Sequence, residues 1–176
     1  MKEQAIMAAA VARFGNKIIR AVEFREQCAI TIRAADLRDV LVWLRDEPGI
    51  KLSWLMDVGG VDFMGYPSDD DREWRFEVAY QMYSMELNHR FRVKVAVPED
   101  QLDVPSVWDL WGIANWMERE VWDLFGVNFP GHPNMRRIMC HDEFEGHALR
   151  KDYPITRRQK LTVPSQNLLC TKSEFA

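Results

Sequence analysis

The stretch His89-Arg90-Phe91-Arg92-Val93-Lys94-Val95-Ala96-Val97 decides the fold class. Phe91, Val93, Val95 and Val97 alternate with Arg90, Arg92, Lys94 and Ala96, the period of two that buries one sheet face and wets the other. Pro98, which has no amide to donate to a ladder, stops the strand. Residues 73–82 read as its antiparallel partner, and 51–63 as a further strand region interrupted by a turn or bulge at Gly59-Gly60. Upstream, Leu37, Val40, Leu41 and Leu44 fall at helical spacing within 36–46, and Pro48-Gly49 ends that run. Residues 17–24 and 29–33 are strand candidates, and Lys2–Phe14 is an Ala-rich helix with Gly15 as its expected C-cap. Strands joined mostly by short turns, with helices before and after, predict an α+β domain over 1–105: a mostly antiparallel sheet with flanking helices.

The 176 residues, 47% hydrophobic and 28% charged, suit one compact core. No apolar run approaches the roughly 20 residues of a membrane-spanning helix, and the N-terminus does not read as a secretory signal. A net charge of −4 argues against a nucleic-acid binder. The charge is uneven: 1–110 carries 14 basic and 19 acidic residues, whereas 131–160 carries 7 and 4. Cys28, Cys140 and Cys170 form no CxxC pair, which suits a reducing compartment and offers no iron–sulfur frame. The acidic run Asp69-Asp70-Asp71 lacks the spaced ligands and terminal Glu of a calcium loop and reads as a solvated turn.

The pattern changes after Pro105. Two short helices are expected over 106–126, the first capped by Ser106. Asn115 with Glu118 has the spacing of a capping box for the second, which ends at Gly126. On that second helix Met117, Val121, Trp122, Leu124 and Phe125 share an apolar arc. Arg119, Glu120 and Asp123 lie opposite with Trp116, and Arg119 and Asp123 are spaced to pair along the helix. Glu118 falls inside the apolar arc, where a carboxylate needs a partner. Two partners are open to it: the Asn115 amide, or an arginine from the following segment or another subunit. Four of the seven tryptophans (108, 111, 116, 122) cluster here, and Trp116 is the one a domain core explains least.

From 127 to 176 there is no sustained periodicity and there are four prolines, so this segment is expected to be either disordered or wrapped on something. His132, Cys140, His141 and His147 are potential metal ligands, but their spacing matches no zinc frame. No nucleophile elbow, phosphate loop or dinucleotide fingerprint is present.

The run Glu118-Arg119-Glu120, Asp123-Leu124-Phe125-Gly126, Gly131-His132-Pro133 and Arg136-Arg137-Ile138-Met139 resembles the 30-kDa subunit family of respiratory complex I, whose members form its C subunit. A second matching block is Gly146-His147-Ala148-Leu149-Arg150-Lys151-Asp152-Tyr153-Pro154, with Ala148 where that family usually has Pro. The resemblance implies a non-catalytic structural subunit in the hydrophilic arm of a proton-translocating NADH:quinone oxidoreductase. It implies no cofactor in this chain, with FMN and iron–sulfur clusters in partner subunits. The implied partners are the quinone-site large subunit (the D subunit), the small iron–sulfur subunit (the B subunit) and the I subunit. The implied location is peripheral, on the cytoplasmic side of a bacterial inner membrane, with membrane contact only through partners. Within that reading residues 127–176 form an extended partner-binding tail, and Arg136, Arg137, Arg150 and Lys151 are expected to pair with carboxylates: Glu118, Glu120 and Asp123, or acidic groups on the partner. The equivalent subunit of a related membrane-bound hydrogenase is the alternative. From other classes come a free-standing metalloenzyme using the four His and Cys residues, and an independent binding module with a basic tail.

Overall fold

In the computed structural model, which describes residues 2–66 and 72–159, one five-stranded sheet carries three helices. The elements in order are α1 (Lys2–Phe14), β1 (Ile18–Phe24), β2 (Gln27–Arg33), α2 (Leu37–Asp46), β3 (Trp54–Asp62), β4 (Phe76–Ser84), β5 (His89–Val97) and α3 (Ala114–Phe125). The strand order is β1-β2-β5-β4-β3. Three pairings are antiparallel and the one between β2 and β5 is parallel. The α+β class therefore stands.

The alternation along β5 builds the core. Phe91, Val93, Val95 and Val97 face Met82, Tyr80, Val78 and Phe76 of β4, and all eight are buried. On the other side Val93 and Val95 face Ile30 and Ile32 of β2. α1 lays Ile6, Ala10 and Phe14, four apart, onto this face, and α2 adds Leu37, Val40, Leu41 and Leu44. The Phe14 and Trp43 rings meet edge-on at 5.4 Å where the two helices approach. The opposite sheet face presents Arg90, Arg92 and Lys94, with Lys94 paired to Glu77 at 2.8 Å.

Several local expectations are corrected. Gly15 opens a 3₁₀ turn, Gly15–Lys17, rather than capping α1 in a left-handed conformation. Gly59-Gly60 does not interrupt β3, which bulges instead between Leu55 and Asp57. Gly60 is there for space: a Cβ on it would lie 2.6 Å from the Phe125 ring of α3. The Ser106 segment forms a single turn, with the amides of Leu110 and Trp111 donating to Val107, not a helix. α3 starts at Ala114, one residue before the expected cap Asn115, and has no side-chain N-cap. Residues 67–71, which hold the acidic run, and 160–176, which hold Cys170 and the last proline, lie outside the described residues.

Candidate functional site

α3 has two buried faces. The first is apolar and packs on the sheet: Ala114 and Val121 are buried, Met117, Trp122 and Phe125 pack on the core, and Phe125 lies over Gly60 of β3. The second is the charged face that helical periodicity assigns to water. Arg119 is only 4% exposed and Asp123 is fully buried, because the chain beyond the helix turns back and covers them.

The covering segment starts with a short parallel ladder. Val104 donates to Asn128, Asn128 donates to Leu102 at 2.7 Å, and Ser106 donates to Pro130. At Gly131, whose φ of +90° suits a residue without Cβ, the carbonyl accepts from the Trp108 indole at 2.9 Å. His132 then donates from Nε2 to the Asn115 carbonyl at 3.0 Å and accepts the Asn134 amide on Nδ1. Arg119 holds the next residues, its Nε and Nη2 donating to the carbonyls of Arg136 and Arg137.

Asp123 anchors the centre. Its Oδ2 accepts the amides of Ile138, Met139 and Cys140 at 2.8–3.0 Å, and its Oδ1 meets Arg137 Nη1 at 2.5 Å. Burial pushes its pKa up, but these three amides and the guanidinium outweigh it and hold the carboxyl below its usual range. Arg137 in turn donates to the Gly146 carbonyl at 2.9 Å and lies over the Trp122 and Phe144 rings.

The C-terminal end of α3 is closed by the same segment. A helix leaves its last carbonyls unpaired. Here His147 Nδ1 donates to Asp123 O at 3.0 Å, the Leu149 amide to Leu124 O at 3.0 Å, and Arg150 Nε to Phe125 O at 2.5 Å. The Arg150 cation also suits the negative end of the helix dipole. Gly126 makes this possible: its φ is +76°, and a Cβ would lie 2.5 Å from both Arg150 Nη2 and the His147 ring. Burial holds the His147 imidazole below its ordinary pKa.

Past the helix the segment docks on the sheet. Asp62, at the end of β3, accepts the Lys151 amide at 2.9 Å and is paired twice by Arg75. Arg75 also reaches Glu99 at 2.5 Å and Asp152 at 3.0 Å. Its pKa is raised, chiefly by Asp62. Asp62 is pushed up by burial but held below its usual range by Arg75 and by the amides of Lys151 and Met64.

Glu118 resolves differently from both expectations. It does not fold back on Asn115 and meets no arginine among the described residues; its carboxylate accepts the Ser106 hydroxyl and, at 2.7 Å, the Val107 amide. The expected Arg119–Asp123 pair along the helix is also absent among the described residues, each partner being taken by the covering segment. Of the four arginine and lysine candidates, Arg137 makes an ion pair, with Asp123. Arg136 and Lys151 contribute backbone groups, and Arg150 a helix-capping bond. Glu120 and Pro133 are exposed. His132, Cys140, His141 and His147 are not brought together: no cluster of three metal-binding side chains occurs among the described residues.

Sequence reasoning missed Asp62, Arg75, Ser106 and Trp108 as parts of this arrangement. Asp62 had a readable signal, a carboxylate two residues on from Gly60 and four from Val58 on the core-facing side of β3. Among the described residues no helix is long and apolar enough to cross a membrane.

The family model for the respiratory-chain NADH dehydrogenase 30 Kd subunit matches residues 30–159. The C subunit of NADH-quinone oxidoreductase from Paramagnetospirillum magneticum is 46% identical over 130 residues, 74% of this chain and 62% of that protein. The chain thus spans somewhat under two thirds of that relative's length, and the same share of its counterpart from Rhodospirillum rubrum. The counterpart from Roseiflexus castenholzii is 36% identical over 97% of this chain and 95% of its own. Among solved structures, a trypsin-resistant fragment of Nqo5 superposes with a TM-score of 0.65 at 31% identity, covering 76% of this chain and 99% of the fragment. A chain of an archaeal membrane-bound sulfane sulfur reductase shares the fold, with a TM-score of 0.68 at 24% identity over 89% of this chain and 88% of that one.

Proposed function

The chain belongs to the 30-kDa subunit family of respiratory-chain NADH dehydrogenase, and from that premise we propose that it is a structural subunit that holds the quinone-reducing module of a proton-translocating NADH:quinone oxidoreductase in place. One observation carries this reading: the buried and half-buried titratable side chains of the two family blocks, Asp123, His132, Arg137, His147 and Arg150, bond within the chain itself. Asp123 is saturated by three amides and Arg137; His132, His147 and Arg150 bond helix carbonyls. A side chain so committed positions backbone and is poorly placed to move protons in a reaction. What the arrangement makes is an outer strap, 131–152, tied to both ends of α3 and to the end of β3.

In this reading the strap and the residues after it lie against the quinone-site large subunit and the small iron–sulfur subunit, with the I subunit nearby. FMN and the iron–sulfur clusters belong to those and other partners. The assembly sits peripherally on the cytoplasmic side of the bacterial inner membrane, and this chain reaches the membrane through other proteins.

The test is deletion of the gene for this chain and complementation with a tagged copy. Membranes from the deletion strain should lose NADH:quinone reduction, and the tagged chain should co-purify with quinone-site and iron–sulfur subunits. Retention of quinone reduction in the deletion strain, or co-elution with a nickel-bearing hydrogenase subunit instead, would overturn it.

A further inference from the structure

Arg119 is a buried cation with no counter-charge among the described residues of this chain. It is 4% exposed, and its bonds there go to backbone, not to a carboxylate. Its guanidinium donates to two carbonyls and rests 4.9 Å from the centre of the Trp116 ring. The neighbouring acids are committed elsewhere: Asp123 to Arg137 and three amides, Glu118 to Ser106 and Val107. Carbonyls and a ring face ease a buried guanidinium, but they leave its net charge uncompensated. Arg136, whose carbonyl Arg119 holds, presents a second guanidinium that is exposed and makes no ion pair among the described residues. A buried guanidinium held on the backbone of a residue that carries a second, unpaired one, on a chain of net charge −4, marks a place suited to an anion from outside.

The surface around them is apolar. Ile113 (48% exposed) and Trp116 (59%) are three apart at the start of α3 and form an outward stripe between sheet and strap, which Glu120 ends. Trp108, at 39% exposed, stands where the strap begins. Tryptophan beside arginine, apolar at the centre and charged at the edge, is the composition of an interface anchor.

We propose that this stripe of α3 is a docking surface for a carboxylate-bearing segment of a neighbouring protein subunit. An Asp or Glu of that segment meets the exposed Arg136 and so brings a negative charge toward the buried Arg119, while Trp116 packs against the segment's apolar side chains. Glu120 repels an acid at the far end and so fixes which way the segment runs. The proposal rests on the reading of the chain as a subunit of a larger complex.

The experiment uses the full chain in its native membranes. A benzophenone side chain placed at position 116 is photo-activated and the cross-linked peptide sequenced. In parallel, tagged wild type and the exposed-site variants Trp116→Ala, Arg136→Glu and, as a control, Met85→Ala are purified with their partners. The washes run from about 0.15 M to about 0.5 M salt, where a charged contact weakens. The expected result is a cross-link to a protein segment containing Asp or Glu. Trp116→Ala and Arg136→Glu should each lower partner retention by about tenfold or more, with Met85→Ala like wild type. Circular dichroism unchanged from wild type keeps misfolding out of the result. A cross-link only to lipid or to a segment without acids, or equal retention of all variants, overturns the proposal. If wild type co-purifies with no NADH-oxidising subunits, the functional reading fails. The docking surface then stands or falls on whether position 116 cross-links to an acidic protein segment and Arg136→Glu abolishes it.

Discussion

Glu118 is fully buried in the apolar arc of α3, and burial raises its pKa to about 7, against the opposing pull of the Ser106 hydroxyl and Val107 amide. The folded chain therefore keeps the proton in a range where the unfolded chain, near 4.5, has released it. The stability this contributes is whole below about pH 4.5 and is lost as the pH rises through about 7, at up to about 1.4 kcal/mol per pH unit. His147 works in the opposite sense: its folded pKa lies below 6.5, so its contribution is fully present above about pH 6.5 and is lost as the pH falls through the folded value. The two are separated by comparison: relative to wild type, Glu118→Gln should gain stability between pH 5 and about pH 7 and level off above it in thermal or urea melts. A difference that stays constant with pH would show that Glu118 is ionised throughout. The spacing of Asn115 and Glu118 suggested a capping box, and the suggestion failed because the short-range rule cannot see Ser106 arriving from twelve residues upstream.

At the scale of the element, α3 is held between a sheet it packs on and a strap it has to charge-match. Asp123→Asn removes the partner of Arg137, whose side chain is 12% exposed, and puts amide hydrogens against three backbone amides. Breaking such a pair on one side costs about 3–5 kcal/mol. The strap should loosen before the sheet, so limited proteolysis of Asp123→Asn should cut first within 131–150 and leave an N-terminal fragment. Cleavage at the wild-type rate and sites would contradict the anchoring role. The strands and α2 were legible because their pattern is local: Phe91 to Val97 and Leu37 to Leu44 bury what their periods of two and 3.6 require. The buried polar face of α3 was not, because periodicity assumes that charge faces water. Arg119 and Asp123 instead face a segment without period of its own. The two family blocks contain those residues as a group but leave their partners within the chain open.

Across the whole molecule, Arg75 joins three regions far apart in sequence: β3 through Asp62, the end of β5 through Glu99, and the strap through Asp152. Arg75→Ala would leave Asp62, with no exposed side-chain surface, facing two amides and no cation. A loss of about 3–5 kcal/mol follows, a fall in Tm of roughly 10 °C for a chain of this size. Calorimetry checks it, and a fall no larger than that of Lys51→Ala, which removes an exposed pair with Glu86, would refute it. The sheet itself divides the chain in time as well as in space. β1 with β2, and β3 through β5, are antiparallel neighbours in sequence that can zip up as they meet. The parallel seam between β2 and β5 joins segments separated by α2, β3 and β4, so its closure entropy comes due before any of its contacts exist. That seam sets the pace of folding. Ile30, Ile32, Val93 and Val95 line it, so truncating them slows the arrival of the native state, whereas damage to the strap, added last, hastens departure from it.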